Sequence, residues 1–333
     1  MTQVFGTLGP ACAKQETLEA MFRAGMTGMR LNLSHTGLAE SSGLLQAFHA
    51  AAAAVGITPQ LLIDMQGPEL RTDGPAAPLT LREGETVPLS QAGIPLPAAV
   101  EPYLLPGQEL MLDDGKLLVR VTKAANGCAP AAAEVLRGGV LKSRKSVKLP
   151  GIEIPLPLLT PHDIDNLKKA SAYGVTALMQ PFVRSGDDLA GVRALLREIG
   201  ADVQIFAKIE SMAGVRELDG ILAQADVIVI ARGDLGNDLP LWELPAVQKR
   251  IAAACRAAGR PFITVTQMLA SMEKNPVPTR AEVSDIFNAV TDGSWGVMLT
   301  GETAAGSYPV EAITYMANTA REAEQWVAET PAL

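Results

Sequence analysis

Apolar positions along this chain fall into two alternating rhythms. Short, nearly continuous apolar runs, "QVFGTLG", "GMRLNLS", "PQLLIDMQ", "VTALMQPFV", "VQIFAKIE", "DVIVIAR", "PFITVTQM" and "GVMLTGE", are bounded by turn residues and charge. Between most of them, apolar residues recur every three to four positions, as in "TLEAMFRAG", "SSGLLQAFHAAAAAVG", "TPHDIDNLKKASAYG", "DDLAGVRALLREIG" and "LPAVQKRIAAACRAAG". The first rhythm predicts buried strands and the second predicts amphipathic helices. Apolar strands alternating with helices indicate a parallel sheet covered on its outer face. Eight such units in about 250 residues fit an α/β fold of the (β/α)8 barrel kind better than an open doubly wound sheet.

One interruption follows the third strand and runs from Glu69 to Pro150. It is proline-rich ("GPAAPLTL", "AGIPLPAAVEPYLLPGQ") and carries short alternating runs ("LTLREGETVPLS", "ELMLDDGKLLVRVTK") without a long helix. The expectation is an inserted small β domain at 69–150, with residues 1–68 and 151–333 forming the discontinuous barrel; a disordered insertion is the competing reading. The insertion leaves from the carboxyl end of a barrel strand, the face on which barrel active sites sit, where it could act as a lid.

Composition narrows the class of function. The hydrophobic share is 48% and the charged share 19%, with a formal net charge of -8, as in a globular protein without a basic footprint for nucleic acid or anionic membrane. The three cysteines, Cys12, Cys128 and Cys255, are far apart and lack metal-ligand spacing. No signal-like segment opens the chain, and no uncharged run reaches the roughly 18 residues of a membrane span. A cytoplasmic protein acting on small molecules is expected.

The strands end in charge, and in a barrel these ends converge on one mouth. That mouth would collect Arg30, Asn32, Ser34, Asp64, Lys208, Glu210, Asp234, Thr266 and Glu302. Taken singly, each could belong to an ordinary surface ion pair; convergence at equivalent strand ends argues for a site. Glu210 and Asp234 suit a hard divalent cation that leaves positions open for substrate oxygens, the habit of Mg²⁺, with Arg30 and Lys208 facing anionic oxygens.

Those same residues lie in segments that resemble the pyruvate kinase family: "GTLGPAC", "GMRLNLSHTG", "LLIDMQGPELRT", "LKSRKSVKLPG", "LTPHDIDNL", "KIESMAGV", "ARGDLG" and "TQMLASMEKNPVPTRAEVSDIFNAVTDGSWGVMLTGETAAGSYPVEA", in family order over nearly the whole chain. The resemblance implies a TIM barrel with a small inserted β-barrel lid, and transfer of the phosphoryl group of phosphoenolpyruvate to ADP, giving pyruvate and ATP in glycolysis. By the same resemblance, Glu210 and Asp234 are Mg²⁺ (or Mn²⁺) ligands and Lys208 neutralises transition-state charge. Gly233, Asp234 and Thr266 hold substrate, Thr266 takes part in protonating the enolate, and Arg30 meets the transferring phosphoryl group. His35, Arg71 and Lys145 match positions near the nucleotide; "LKSRKSVK" read without the resemblance is a solvated basic strand.

The family divides at the position of Glu69, where members with glutamate need K⁺ and members with lysine do not. The side chains of Asn32, Ser34 and Asp64 with the Met65 carbonyl would line the K⁺ site; their other reading is loop bracing. Departures from the family pattern are Gln180-Pro181 before Phe182, Met65 and Gln66 in place of threonine and lysine, Thr300 for serine, and Ser146 for glycine. Beyond "AREAE" only "QWVAETPAL" remains, so the third, effector-binding domain is expected to be absent from this chain and the assembly to be a homodimer through barrel helices. A diverged paralogue that binds phosphoenolpyruvate, or acts on a related keto acid through the same Mg²⁺-enolate site, is the alternative function.

Overall fold

The structure, a computed structural model, describes residues 1–330 apart from 35, 74–76, 114, 127–128, 153 and 155. Contacts divide the chain into two units, Met1–Gly67 with Leu158–Leu333, and Pro68–Pro157. The inserted unit therefore extends seven residues past Pro150, through a stretch in which no periodic pattern marks the boundary.

The chain lays down β1 (Gln3–Thr7), β2 (Gly28–Asn32) and β3 (Gln60–Asp64) before the insertion. Within it lie β4 (Leu79–Leu81), β5 (Thr86–Pro88), β6 (Glu109–Leu112), β7 (Leu117–Lys123), β8 (Ala132–Arg137), β9 (Gly139–Leu141) and β10 (Val147–Lys148). After it come β11 (Ala177–Gln180), β12 (Gln204–Ile209), β13 (Val227–Ala231), β14 (Phe262–Val265) and β15 (Gly296–Met298). Strands β1 to β3 and β11 to β15 close into one eight-stranded parallel barrel whose order around the ring is chain order. Helices α1 (Gln15–Ala24), α2 (Ser42–Val55), α3 (Pro161–Lys169), α4 (Gly186–Ile199), α5 (Met212–Arg216), α6 (Leu218–Gln224), α7 (Arg232–Leu235), α8 (Leu244–Ala257), α9 (Arg280–Thr291), α10 (Gly301–Ala304) and α11 (Pro309–Glu329) complete this unit. No helix is long and apolar enough to cross a membrane among the described residues.

Two-residue periodicity sorts the barrel side chains. Phe5, Leu62, Met179, Phe206, Val229, Ile263 and Met298 fill the interior, while Leu61, Ile63, Leu178, Ile205 and Ile228 pack outward on the helices. The interior is thus a packed core, and the charged side chains that share its alternation, Arg30, Asp64 and Lys208, lie toward the carboxyl ends of their strands. Gly28 makes room for this filling, since a Cβ there would lie 2.9 Å from the Phe5 ring and 2.6 Å from the Gln60 carbonyl oxygen.

The described strands of the inserted unit form two separate antiparallel sheets, β10-β6-β7-β8-β5 and β4-β9, rather than a single closed ring. They enclose their own core, which includes Leu110, Leu112, Val119, Ala133 and Val135.

Phe206 is fully buried in the barrel interior, with its ring 6.3 Å from that of Trp295. Phe206→Ala is expected to lower barrel stability by about 3–5 kcal/mol in denaturant titrations followed by tryptophan fluorescence. A loss under about 1 kcal/mol would mean that the interior is not a tightly packed core.

Candidate active site

Asp64 ends β3 inside the mouth of the barrel and organises what surrounds it. Its Oδ2 receives Arg30 Nε at 2.8 Å and Nη2 at 2.7 Å, and both of its oxygens receive Lys208 Nζ at 3.2 Å. Arg30 lies on the neighbouring strand β2, and Lys208 sits two residues beyond Phe206 on the inward face of β12. Lys208 Nζ also lies 2.8 Å from Glu210 Oε1. The other oxygen of Glu210 accepts from the Phe182 backbone N–H at 2.8 Å, with Phe182 in the left-handed region at φ 52°.

Burial and charge compete at each of these groups. Burial pulls the Asp64 carboxyl upward, but the charges of Lys208 and Arg30 outweigh it and hold the group below the usual carboxylate range. Burial acts to lower the Lys208 ammonium, and the charges of Asp64 and Glu210 more than reverse this, so it stays protonated. Glu210 is pushed up to about 7, first by burial and then by repulsion from Asp234, against the opposing pull of Lys208.

Asp234 and Gly233 lie in α7, which leaves β13 without a connecting loop. Facing them, the chain turns sharply after β14: Thr266 and Gln267 adopt φ 74° and 55°, costly for residues with a Cβ. Arg232 holds this turn, since its Nη2 and Nε donate to the Thr266 carbonyl at 2.7 and 3.1 Å. Its Nη1 in turn reaches both oxygens of Asp285 on α9, at 2.9 and 2.7 Å. A Cβ on Gly233 would stand 3.1 Å from Thr266 Cγ2, so the two residues share one confined space. Sequence reasoning had assigned no role to Arg232, Asp285 or the Phe182 N–H; the only signal for the first two was their place inside "ARGDLG" and "TRAEVSD".

Glu302, expected among the residues of the mouth, is committed elsewhere. Its Oε1 accepts from the Leu269 N–H at 3.1 Å and its Oε2 from the Thr300 N–H at 2.7 Å, so it ties the loops after β14 and β15 together. Asn32 Oδ1 accepts from the Ser34 N–H at 3.0 Å and braces the loop after β2. Met65 is buried and donates its N–H to the Met179 carbonyl at 3.1 Å. In the inserted unit, Arg71 pairs with Glu69 at 2.8 Å and Lys145 with Asp113 at 2.8 Å. His35 lies outside the described residues. Beside Arg30 and Asn32 the barrel unit holds a cavity of about 600 Å³, lined also by Thr7, Pro10, Ser41 and Thr300.

The donor set fits a divalent cation. Arg30 and Lys208 stand against three carboxyl groups, Asp64, Glu210 and Asp234, and the repulsion Glu210 feels from Asp234 is what a shared cation would relieve. Among the described residues no three His, Cys, Asp or Glu side chains cluster as a closed cage. Two carboxylates with remaining positions open to water or substrate oxygens match the way Mg²⁺ is held.

The model of the pyruvate kinase barrel domain matches residues 1–313. The pyruvate kinase of Geobacillus stearothermophilus is 39% identical over 97% of this chain and 57% of its own length. That of Clostridium acetobutylicum is 37% identical over 97% of this chain and 70% of its own. A crystal structure of a pyruvate kinase from Cryptosporidium parvum superposes with a TM-score of 0.88 at 33% identity, covering 97% of this chain and 69% of that one. The chain thus spans little more than half the length of several relatives it matches. With a barrel-domain match over most of its length, and the same closed parallel barrel in a solved relative, the chain belongs to the pyruvate kinase family.

Proposed function

We propose that this chain transfers the phosphoryl group of phosphoenolpyruvate to ADP, with Mg²⁺ and K⁺ as cofactors. The observation that carries this reading is the Arg30–Asp64–Lys208–Glu210 network, a set of fixed charges at the carboxyl end of the barrel. Metal dependence is general in the family; the identities of the ions are part of the proposal.

In the forward direction, the bond from phosphorus to the enol oxygen breaks and a bond to a terminal phosphate oxygen of ADP forms, leaving an enolate. Such a transfer needs positioned positive charge more than covalent help. Arg30 offers a planar fork to the phosphoryl oxygens, with Asp64 fixing the plane of that fork. Lys208, kept charged by Asp64 and Glu210, neutralises the oxygen that gains charge as the bond breaks. Glu210 and Asp234 would hold Mg²⁺, which when bound supplies further charge to the carboxylate and enolate oxygens. Thr266 and Gly233 confine the methylene end of the substrate. The enolate then takes a proton at that carbon through a water held by Thr266, since a hydroxyl alone is too weak an acid near neutral pH. The cavity beside Arg30 in the barrel unit would take the nucleoside of ADP. The family resemblance alone assigns nucleotide contacts to His35, Arg71 and Lys145. A homodimer through barrel helices is consistent with Leu241 and Trp242, 69% and 82% exposed just before α8.

A lactate dehydrogenase-coupled assay with phosphoenolpyruvate, ADP, Mg²⁺ and K⁺ tests the reaction; NADH loss no faster than without ADP would remove it. In the same assay Lys208→Met is expected to lower kcat by roughly three orders of magnitude or more while Mn²⁺ binding stays measurable. A variant that kept a tenth of the activity would take Lys208 out of this role.

The monovalent cation generates a separate expectation. Asn32, Ser34, Asp64 and the Met65 carbonyl supply the oxygen ligands that a large hard cation prefers, and Glu69 leaves that positive charge to be supplied from solution. In buffer free of K⁺ and NH₄⁺, activity should fall at least roughly tenfold and return with KCl but not LiCl, and Glu69→Lys should weaken the dependence. Equal rates with and without K⁺ would leave Asn32, Ser34 and Asp64 without a cation to hold.

A further inference from the structure

Asp163 is fully buried at the third position of α3, where it completes a capping box. Its Oδ2 accepts from the Thr160 N–H at 2.8 Å, while Thr160 Oγ1 accepts from the Asp163 N–H at 3.1 Å. A capping box has no need of further partners. Here the carboxylate also accepts from a segment far away in the chain: the Gln66 N–H at 2.8 Å on Oδ1 and the Gly67 N–H at 3.0 Å on Oδ2.

These donors lie where the chain crosses between the two units. Gly67 is the last residue of the barrel unit before the insertion, and Leu158 is the first after it. One carboxylate therefore ties down the backbone on both sides of the insertion. Other contacts gather at the same place. Buried Gln180 donates to the Leu158 carbonyl at 3.1 Å. Gly67, at φ +60°, lies so close to Pro181 that a Cβ would stand 2.4 Å from Pro181 Cγ. The departure Gln180-Pro181, which the phosphoryl-transfer reading leaves unused, thus packs against both crossings. The tethered segment begins directly after Asp64 and Met65.

We propose that Asp163 is a positioning residue for the reaction: it moors both crossings to the barrel and thereby fixes the backbone that follows Asp64, keeping Arg30 and Lys208 aligned. The catalytic part rests on the phosphoryl-transfer reading; the mooring does not. A carboxylate can only accept, whereas an asparagine must turn an NH₂ toward one set of these N–H groups. The backbone that meets it has to move or lose its partner.

Asp163→Asn and Thr160→Val in the full chain separate mooring from helix capping, because Thr160→Val removes the hydroxyl, which accepts from the Asp163 N–H and donates to Asp163 Oδ2 at 2.8 Å, but keeps the carboxylate that accepts from Gln66 and Gly67. For Asp163→Asn, amide exchange of the segment holding Gln66 and Gly67 should speed up at least about tenfold. Its kcat should fall at least about tenfold, with the KM for phosphoenolpyruvate changed less than about threefold. Thr160→Val should lower the unfolding temperature but leave exchange and kcat within about twofold of the parent. Gly67→Ala, which disturbs the same crossing with Asp163 intact, should reproduce the loss of kcat and serves if Asp163→Asn does not fold. Unchanged exchange in Asp163→Asn, or the same exchange and kcat in Thr160→Val, would reduce Asp163 to a helix cap. Faster exchange with kcat within twofold would leave a mooring without a catalytic role. Faster exchange in a chain whose parent does not turn over phosphoenolpyruvate would keep the mooring and remove the reaction, and the positioning role with it.

Discussion

Everything at the mouth of this barrel depends on keeping Asp64 ionised where water is largely excluded. A carboxylate alone in such a place would bind a proton. Asp64 avoids this because Arg30 and Lys208 reach it from neighbouring and more distant strands of the ring. The dependence is mutual, since an unpaired Lys208 would be driven toward the neutral amine by the same burial. The pairs do not form a stability device in the ordinary sense, as desolvation consumes much of their attraction. They are better understood as a fixed electrostatic template. The second and third carboxyl groups of the set, Glu210 and Asp234, repel each other, and a divalent cation joining them would relieve that repulsion and make the mouth more attractive to an anion.

The backbone around the template is held out of its relaxed geometry. Phe182, Thr266 and Gln267 all adopt positive φ without being glycine. Phe182 and Thr266 each have an identifiable opponent to the strain. The Phe182 N–H is held by Glu210, and the Thr266 carbonyl is gripped by an Arg232 that Asp285 has already oriented from α9. Strain of this kind persists only when surrounding contacts over-determine it. Here those contacts come from charged residues, so the electrostatics of the mouth and the shape of its loops are parts of one arrangement.

This explains what could and could not be read from the sequence. All eight barrel strands were legible, because buried parallel strands are nearly continuous apolar runs. The expected runs overshoot mainly at their carboxyl ends, as with "PFITVTQM" against Phe262–Val265 and "VTALMQPFV" against Ala177–Gln180. Those are the places where site residues leave strand geometry for strained turns, a tertiary effect that local pattern does not encode. Arg30, Asp64, Lys208 and Glu210 were legible as strand-end charges, and the structure brings them together. Glu302 carried the same signature and was bound instead to two loop N–H groups. Arg232 read as the end of a strand, whereas its side chain acts on the next loop. Strand position reveals that a side chain faces the mouth, but not whether backbone donors have already claimed it.

Asp64 and Asp163 make the same point from opposite sides. Both are buried aspartates near the carboxyl end of the third strand, yet one is surrounded by movable side-chain cations and the other mainly by backbone N–H groups. Backbone donors cannot swing away or be exchanged for substrate, so a carboxylate satisfied by them becomes part of the frame. Side-chain cations carry full charge and present further N–H groups outward, so a carboxylate satisfied by them aims those charges at whatever occupies the mouth. The frame formed at Asp163 begins where the template centred on Asp64 ends, two residues along the same loop. A barrel interrupted at that loop by a whole folded unit needs such a division, because any looseness at the crossings would be transmitted directly to the strand end that holds the charges in register.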